Sequence, residues 1–298
     1  MRQVADFLRT LGADEADCRE LSVAGESMVH AVGNGAITAL VDEYISGTAP
    51  YTELTRRLND AAESAGVHPY TVNALFVAAV LLAEREEYTA CYGEEIFRDT
   101  ARDLVWKLRE CHQIHRIAGV PSSTWYDRIL RREIFALGRL QFHTVPFHLD
   151  TVILKDGVLA KGDRVIKVHI PSSGALPHEA CLDSYRRAYR FFRHEFLGDA
   201  LPFVCYSWLL GPRIAAGYRE GSNLASFYGD YQVFQQKDDP THDDFWRIFG
   251  FPYREGLDLT ALPRDTALRA HVADIYAKGS GIQIGYGAFY HDGEKILS

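Results

Sequence analysis

The spacing of apolar residues changes once along this 298-residue chain, and this change constrains the fold more than any other feature. Up to Gly119 the apolar positions recur every three to four residues and stop at glycines, which is typical of successive amphipathic helices. The segment Pro121-Ser122-Ser123 then follows, and a proline placed after a glycine ends a helix. We therefore predict an all-helical N-terminal domain over residues 1–122.

Residues 123–298 carry shorter apolar runs separated by turn signals, which predict a mixed α/β domain. We expect strands over 134–142, 151–154, 165–170, 203–210, 231–235 and 282–290, and helices over 177–196 and 265–278. Lys155-Asp156-Gly157 contains the Asp-Gly pair that favours a hairpin turn. The strand–helix–strand unit from 165 to 210 predicts two parallel neighbouring strands joined by a crossover helix. The fold class is therefore α+β.

Charge and cysteine content narrow the class of protein. The net charge of −8 comes from residues 1–120, which hold 11 Lys and Arg against 19 Asp and Glu, while the remainder is neutral. Nucleic acid is disfavoured as a partner because phosphate contacts require clustered cations. The five cysteines are widely spaced and form no CxxC pair, which favours a reducing, cytoplasmic location without a metal. We expect no membrane partner, because no apolar stretch is long enough to span a bilayer.

A loop with two hydroxyls and a glycine precedes the predicted helix 177–196. Ser172, Ser173 and Gly174 would let a phosphate approach the backbone closely, and the free N–H groups at a helix start favour an anion. Four arginines on that helix could also attract phosphate, although such a run is more often a solvated face. No hydrolase elbow, HExxH or Walker A sequence is present.

Several segments resemble a known protein family. They are EIFALGRLQF (133–142), VHIPSSGALPHEACLDSYRRAYRFF (168–192), FVCYSWLLGPRI (203–214), SNLASFY (222–228) and LPRDTALRAHV (262–272). Together they resemble the bacterial "acyltransferase domain-containing" family, which pairs an N-acyltransferase N-terminal domain with a GNAT-like C-terminal domain. The resemblance implies a GNAT-like sheet over 123–298, and acetyl-CoA or another acyl-CoA as co-substrate.

The resemblance also implies where the chemistry would take place. In such a fold two parallel strands part, and the acyl thioester lies in the gap, here between 165–170 and 203–210. The resemblance places the CoA diphosphate over Ser172, Ser173 and Gly174. The usual Gln/Arg-x-x-Gly-x-Gly/Ala segment is missing there, because this chain has Ile170 to Pro177 with a single glycine.

Acyl transfer to an amine requires a base for the amine and an acid for the leaving thiolate. His169 is the candidate base because it titrates near neutrality and lies on the first of the two strands. By the resemblance, Tyr218 is the candidate acid. Cys205 and Ser207 share one face of the second strand; Cys205 could carry an acyl group only if its pKa were lowered.

Two other functions remain open from the sequence. The missing phosphate segment is compatible with a non-catalytic GNAT-like binding or regulatory module. The donor could instead be an acyl-carrier protein or an aminoacyl-tRNA, of which the acidic N-terminal region makes tRNA the weaker choice. The expected acceptor is a small-molecule or peptide amine, and the oligomeric state is undetermined.

Overall fold

A computed structural model describes residues 2–33, 35–121 and 123–297. Its internal contacts divide the described chain into two compact units, one ending at Ala136 and the other beginning at Leu137. The predicted linker, 121–123, includes Ser122, which lies outside the described residues, so the domain boundary after residue 122 stays a prediction.

Up to Leu130 the regular elements described in the first unit are all helices, as its apolar period predicts, and its last two residues, Phe135 and Ala136, begin the first strand of the sheet. Its helices are α1 (Arg2–Leu11), α2 (Glu15–Val32), α3 (Ala36–Ile45), α4 (Tyr51–Ala65), α5 (Pro69–Ala83), α6 (Arg85–Tyr92), α7 (Glu94–Ala101), α8 (Asp103–His115) and α9 (Ser123–Leu130). Most of α5 is buried, and it is apolar on nearly all sides, as expected for a central helix. Among the residues described, every helix is too short or too polar to span a lipid bilayer.

The second unit is a curved mixed sheet with helices, which confirms the α+β class. Its strands are β1 (Phe135–Leu137), β2 (Leu140–Pro146), β3 (Val152–Leu154), β4 (Gly157–Leu159), β5 (Arg164–His169), β6 (Leu201–Ser207), β7 (Gln232–Asp238), β8 (Gln283–His291) and β9 (Ile296–Leu297). Its helices are α10 (His178–Phe192), α11 (Pro212–Ala215), α12 (Asn223–Gly229), α13 (Phe245–Phe249) and α14 (Ala267–Ala277). The main sheet has the order β1-β2-β5-β6-β8-β7, and β9 pairs with β8.

Strands β5 and β6 are parallel neighbours, and α10 connects them, as the strand–helix–strand pattern predicts. One face of the sheet packs on α10 through Tyr185, whose ring contacts Phe142, Phe203 and Phe289. These aromatic residues alternate with outward positions along their strands, so burying them fixes the register. The crossover helix thus sets the position of the loop between β5 and α10.

Two predicted strands are shorter in the structure than expected. The predicted strand 134–142 is interrupted by a turn at Gly138-Arg139, where Gly138 adopts a φ of +83°, which separates β1 from β2. The predicted strand 203–210 ends at Ser207 because Trp208–Leu210 forms a 3₁₀ turn. The Ser207 hydroxyl caps that turn by accepting from the Leu209 backbone N–H at 3.1 Å.

The hairpin of β3 and β4 covers part of the opposite face of the sheet. Its turn at Lys155-Asp156 is the one that the Asp-Gly pair predicts. Leu154 and Leu159 pack with Val165 and Val204 in one apolar cluster. The Gln232 side chain fastens the hairpin, since it accepts from the Lys155 N–H and donates to the Ile153 carbonyl. The rest of this sheet face carries polar and aromatic side chains.

Candidate active site

The two central parallel strands stop pairing before either strand ends. Their register pairs Ile166 with Phe203 and extends to Val168 with Cys205. Beyond that pair β5 adds one residue, whereas β6 continues to Ser207 while staying paired with β8. Backbone pairing between the two strands therefore ends before their carboxyl ends, and we call this unpaired end of the two strands the gap.

A row of titratable and aromatic side chains lies on the sheet face next to this gap. His169 Nε2 and His143 Nδ1 are 2.9 Å apart, and the two rings stack with 4.8 Å between centroids. Lys167 Nζ lies 4.9 Å from the centre of the Tyr206 ring, a cation–π distance. The Tyr206 and Tyr286 rings are 4.6 Å apart. Burial, reinforced by Tyr286, raises the pKa of Tyr206 to about 12.

Cys205 lies on the opposite face from His169. It pairs with Val168, and side chains alternate along a strand, so the next residue, His169, points the other way. The thiol is buried, and burial raises its pKa to about 12, against smaller opposing effects of Lys167 and Tyr231. A thiol with this pKa is almost entirely protonated at neutral pH, which is the unreactive form.

The hydroxyls of Ser207 and Tyr218 meet at one residue just beyond the end of β6. Tyr218 donates to the Leu209 carbonyl oxygen at 2.8 Å, while Ser207 Oγ accepts from the Leu209 N–H. Burial raises the pKa of Tyr218, so its hydroxyl keeps the proton at neutral pH. The structure thus brings these two predicted site residues together on the β6 side of the gap, whereas His169 ends the β5 side.

The predicted phosphate loop connects the end of β5 to the start of α10. Ser172, Ser173 and Gly174 lie there, and Gly174 has a φ of +100°, a conformation that favours glycine. The Arg139 side chain donates hydrogen bonds to this loop from the β1–β2 turn. Within the described parts of the chain, no group of three or more metal-ligating side chains is placed to hold a metal ion.

Several residues of this site were not predicted from the sequence. Alternation along β5 placed Lys167 and His169 on one polar face, which gave part of the signal. His143 and Tyr206 lacked any such signal, because their relation to His169 and Lys167 depends on which strands are neighbours. Arg139 was hidden inside a predicted continuous strand.

Comparison with models of protein families shows which family the second unit matches. A model described as "GNAT-like C-terminal domain" matches residues 134–289, more than half of the chain. The match includes β5, β6 and the loop between β5 and α10. The chain therefore belongs to the family with the GNAT-like C-terminal domain. No curated protein matched the sequence.

Solved structures of acyltransferases share the fold over nearly the full chain. One, in complex with decanoyl-CoA and teicoplanin, has a TM-score of 0.70 and 21% identity, covering 97% of this chain and 88% of that one. A mutant acyltransferase in complex with octanoyl-CoA has a TM-score of 0.68 and 20% identity, covering 97% and 87%. Another, with CoA and 10C-teicoplanin, has a TM-score of 0.67 and 21% identity, covering 95% and 86%. At this identity the likeness establishes the fold alone.

Proposed function

We propose that this protein transfers an acyl group from acyl-CoA to the amine of a small-molecule or peptide acceptor. The observation that carries the proposal is the end of pairing between β5 and β6 beyond Val168 and Cys205, with His169 as the next residue of β5. The family match and the acyl-CoA complexes of structurally similar acyltransferases support the choice of donor. Cytoplasmic location stays a prediction.

The donor would lie with its diphosphate over Ser172, Ser173 and Gly174 and its thioester in the gap. The loop precedes α10, a helix of 15 residues whose dipole favours negative charge at its start. The thioester carbonyl would then reach the end of β5, beside the polar row. The decanoyl and octanoyl chains in the similar structures make medium-chain donors the first to test.

In the proposed reaction His169 accepts a proton from the acceptor amine. The amine nitrogen forms a bond to the thioester carbonyl carbon, and collapse of the tetrahedral intermediate breaks the carbon–sulfur bond. The hydrogen bond between His169 and His143 lets the second ring share the proton that the first takes up. The leaving thiolate takes its proton from an acid at the β6 side of the gap.

Tyr218 is the proposed acid, with Ser207 beside it at Leu209. Its hydroxyl is protonated at neutral pH, which is the state that an acid requires. Cys205 is the weakest of the predicted site residues, since its thiol is buried and has a raised pKa. Direct transfer to the amine therefore fits better than an acyl-cysteine intermediate.

The test combines donor binding with release of the CoA thiol. Thermal unfolding of the wild-type protein is measured with acyl-CoAs from acetyl- to decanoyl-CoA and with pantetheine. Release of the CoA thiol is then followed across a panel of amines. A donor at 100 times its dissociation constant should stabilise the fold by about 2.7 kcal/mol. Replacing a positioned base lowers turnover typically 10²- to 10⁴-fold, so His169→Gln should do so with little change in donor affinity.

The matched control is His194→Gln, because His194 is exposed in the 3₁₀ turn after α10, where its Nδ1 lies 3.0 Å from the Phe191 carbonyl oxygen. It should behave as the wild type. Donor binding without thiol release for any amine would favour the binding-module alternative. Absence of binding to every acyl-CoA, with binding of an acyl-carrier protein, would reject CoA as the donor.

A further inference from the structure

Arg139 holds the loop between β5 and α10 by its backbone carbonyls. Its Nε donates to the Ala175 oxygen at 2.8 Å, one Nη to the Gly174 oxygen at 2.9 Å, and the other Nη to the Pro171 oxygen at 3.1 Å. The turn that carries Arg139 is itself fixed to α10, because its backbone N–H donates to Ser184 Oγ at 2.7 Å. The planar guanidinium therefore clamps three peptide groups in one arrangement.

This clamp determines which way the loop N–H groups point. In a trans peptide the carbonyl of one residue and the N–H of the next point in opposite directions, and every described peptide bond is trans. With the carbonyls of Gly174 and Ala175 turned toward Arg139, the N–H groups of Ala175 and Leu176 point away from it. No backbone N–H in residues 173–176 donates to another described residue. The loop thus presents the N–H groups of Ala175 and Leu176 on the side opposite Arg139.

The charge of Arg139 is also uncompensated. No carboxylate forms an ion pair with it in the described parts of the chain, whereas Arg132 pairs with both Glu84 and Glu87. The pKa values of Arg139 and Arg132 shift in opposite directions for the same reason. Burial lowers the pKa of Arg139, while the two carboxylates raise that of Arg132. Within the described residues this partly buried guanidinium donates to carbonyls alone, which leaves a net positive charge beside the loop.

We propose that Arg139 positions the loop for the diphosphate of the CoA donor and supplies the positive charge that attracts it. It would take the place of the Gln/Arg-x-x-Gly-x-Gly/Ala segment that this chain lacks, with the cation contributed by a neighbouring turn and the N–H donors by Ala175 and Leu176. This inference rests on the proposed function, because it assumes a CoA donor at this loop.

The experiment compares Arg139→Met and Arg139→Lys with the wild type, using calorimetric titration with CoA and with pantetheine, which lacks the diphosphate. A charge-assisted hydrogen-bonded group is typically worth roughly ten- to hundredfold in affinity, so Arg139→Met should weaken CoA binding by that factor. Pantetheine affinity should stay unchanged. Lysine keeps the charge but lacks the rigid planar fork that reaches three carbonyls from fixed directions, so the CoA affinity of Arg139→Lys should lie between those of the wild type and Arg139→Met.

Two further measurements separate this role from general damage to the fold. In turnover assays Arg139→Met should raise the KM for acyl-CoA while kcat at saturation changes little, and its CoA affinity should depend less steeply on salt. The control is Arg264→Met, which removes another arginine of the second unit, one that pairs with Asp274 at the surface. It should leave CoA affinity unchanged.

The outcomes distinguish this inference from the proposed function. A wild-type protein that binds no CoA would defeat the proposed function. A wild-type protein that binds CoA, with an Arg139→Met variant that binds it equally well, would overturn the role of Arg139 alone. Equal weakening of CoA and pantetheine binding would also overturn it, because the loss would then not involve the diphosphate.

Discussion

His291 near the end of β8 makes the stability of the sheet depend on pH. The side chain is 1% exposed, and its Nδ1 accepts a hydrogen bond from the Gly293 N–H at 2.9 Å. Its ring lies 5.9 Å from those of Phe203 and Tyr189. Burial lowers the pKa of His291 from 6.5 to about 4, and the nearby Arg186 lowers it further, while Asp292 acts in the opposite direction. The folded protein therefore holds this imidazole neutral.

The sign of the effect follows from comparing the folded and unfolded states. Between pH 6.5 and 4 the unfolded chain binds a proton at His291 that the folded protein does not bind. The free energy of unfolding contributed by this group is thus complete above pH 6.5 and is lost as the pH falls toward 4. The two pKa values give a loss of about 2 kcal/mol between pH 8 and pH 5, rising to roughly 3 kcal/mol below pH 4.

Urea unfolding followed by tryptophan fluorescence at pH 8, 7, 6 and 5 measures this loss. His291→Asn keeps an acceptor for the Gly293 N–H but cannot titrate, so its unfolding free energy should fall about 2 kcal/mol less than that of the wild type between pH 8 and 5. The loss of the ring contacts lowers the unfolding free energy of His291→Asn by the same amount at every pH. His194→Gln, at an exposed histidine, should retain the wild-type pH dependence. Identical pH dependence in His291→Asn and the wild type would refute the reasoning.

Three further predictions concern single side chains. Tyr218→Phe should lower kcat by 10²-fold or more with the donor KM unchanged. The hydrogen bond that this variant loses should lower the free energy of thermal unfolding by about 1 kcal/mol. Full turnover in the variant would exclude this hydroxyl as the acid. Iodoacetamide on the native protein should modify the exposed Cys91 and leave Cys205 unmodified, which peptide mass spectrometry measures. The treated protein should keep its activity. Gly157→Ala should cost roughly 1–3 kcal/mol in urea unfolding, because the added methyl would lie 2.5 Å from the Tyr290 ring; wild-type stability would show that the hairpin moves aside freely.

Local pattern determined much of this protein. Helical periodicity predicted the first unit, and the strand–helix–strand pattern predicted that β5 and β6 are parallel with α10 between them. Alternation within β5 placed His169 on the more polar face, and the Asp-Gly pair predicted the β3–β4 turn. These features depend on residues a few positions apart, whose periodicity the backbone geometry fixes directly.

Tertiary structure alone decided which residues meet at the site. His143 contacts His169 across 26 positions of sequence, and Arg139 contacts the carbonyl of Gly174 across 35. The first contact depends on β2 pairing with β5, and the second on a two-residue turn between β1 and β2 that the sequence pattern concealed within one apolar run. Periodicity specifies which face of a strand a side chain occupies. The neighbour across the sheet is set by strand order and register, which follow from burying the whole core at once.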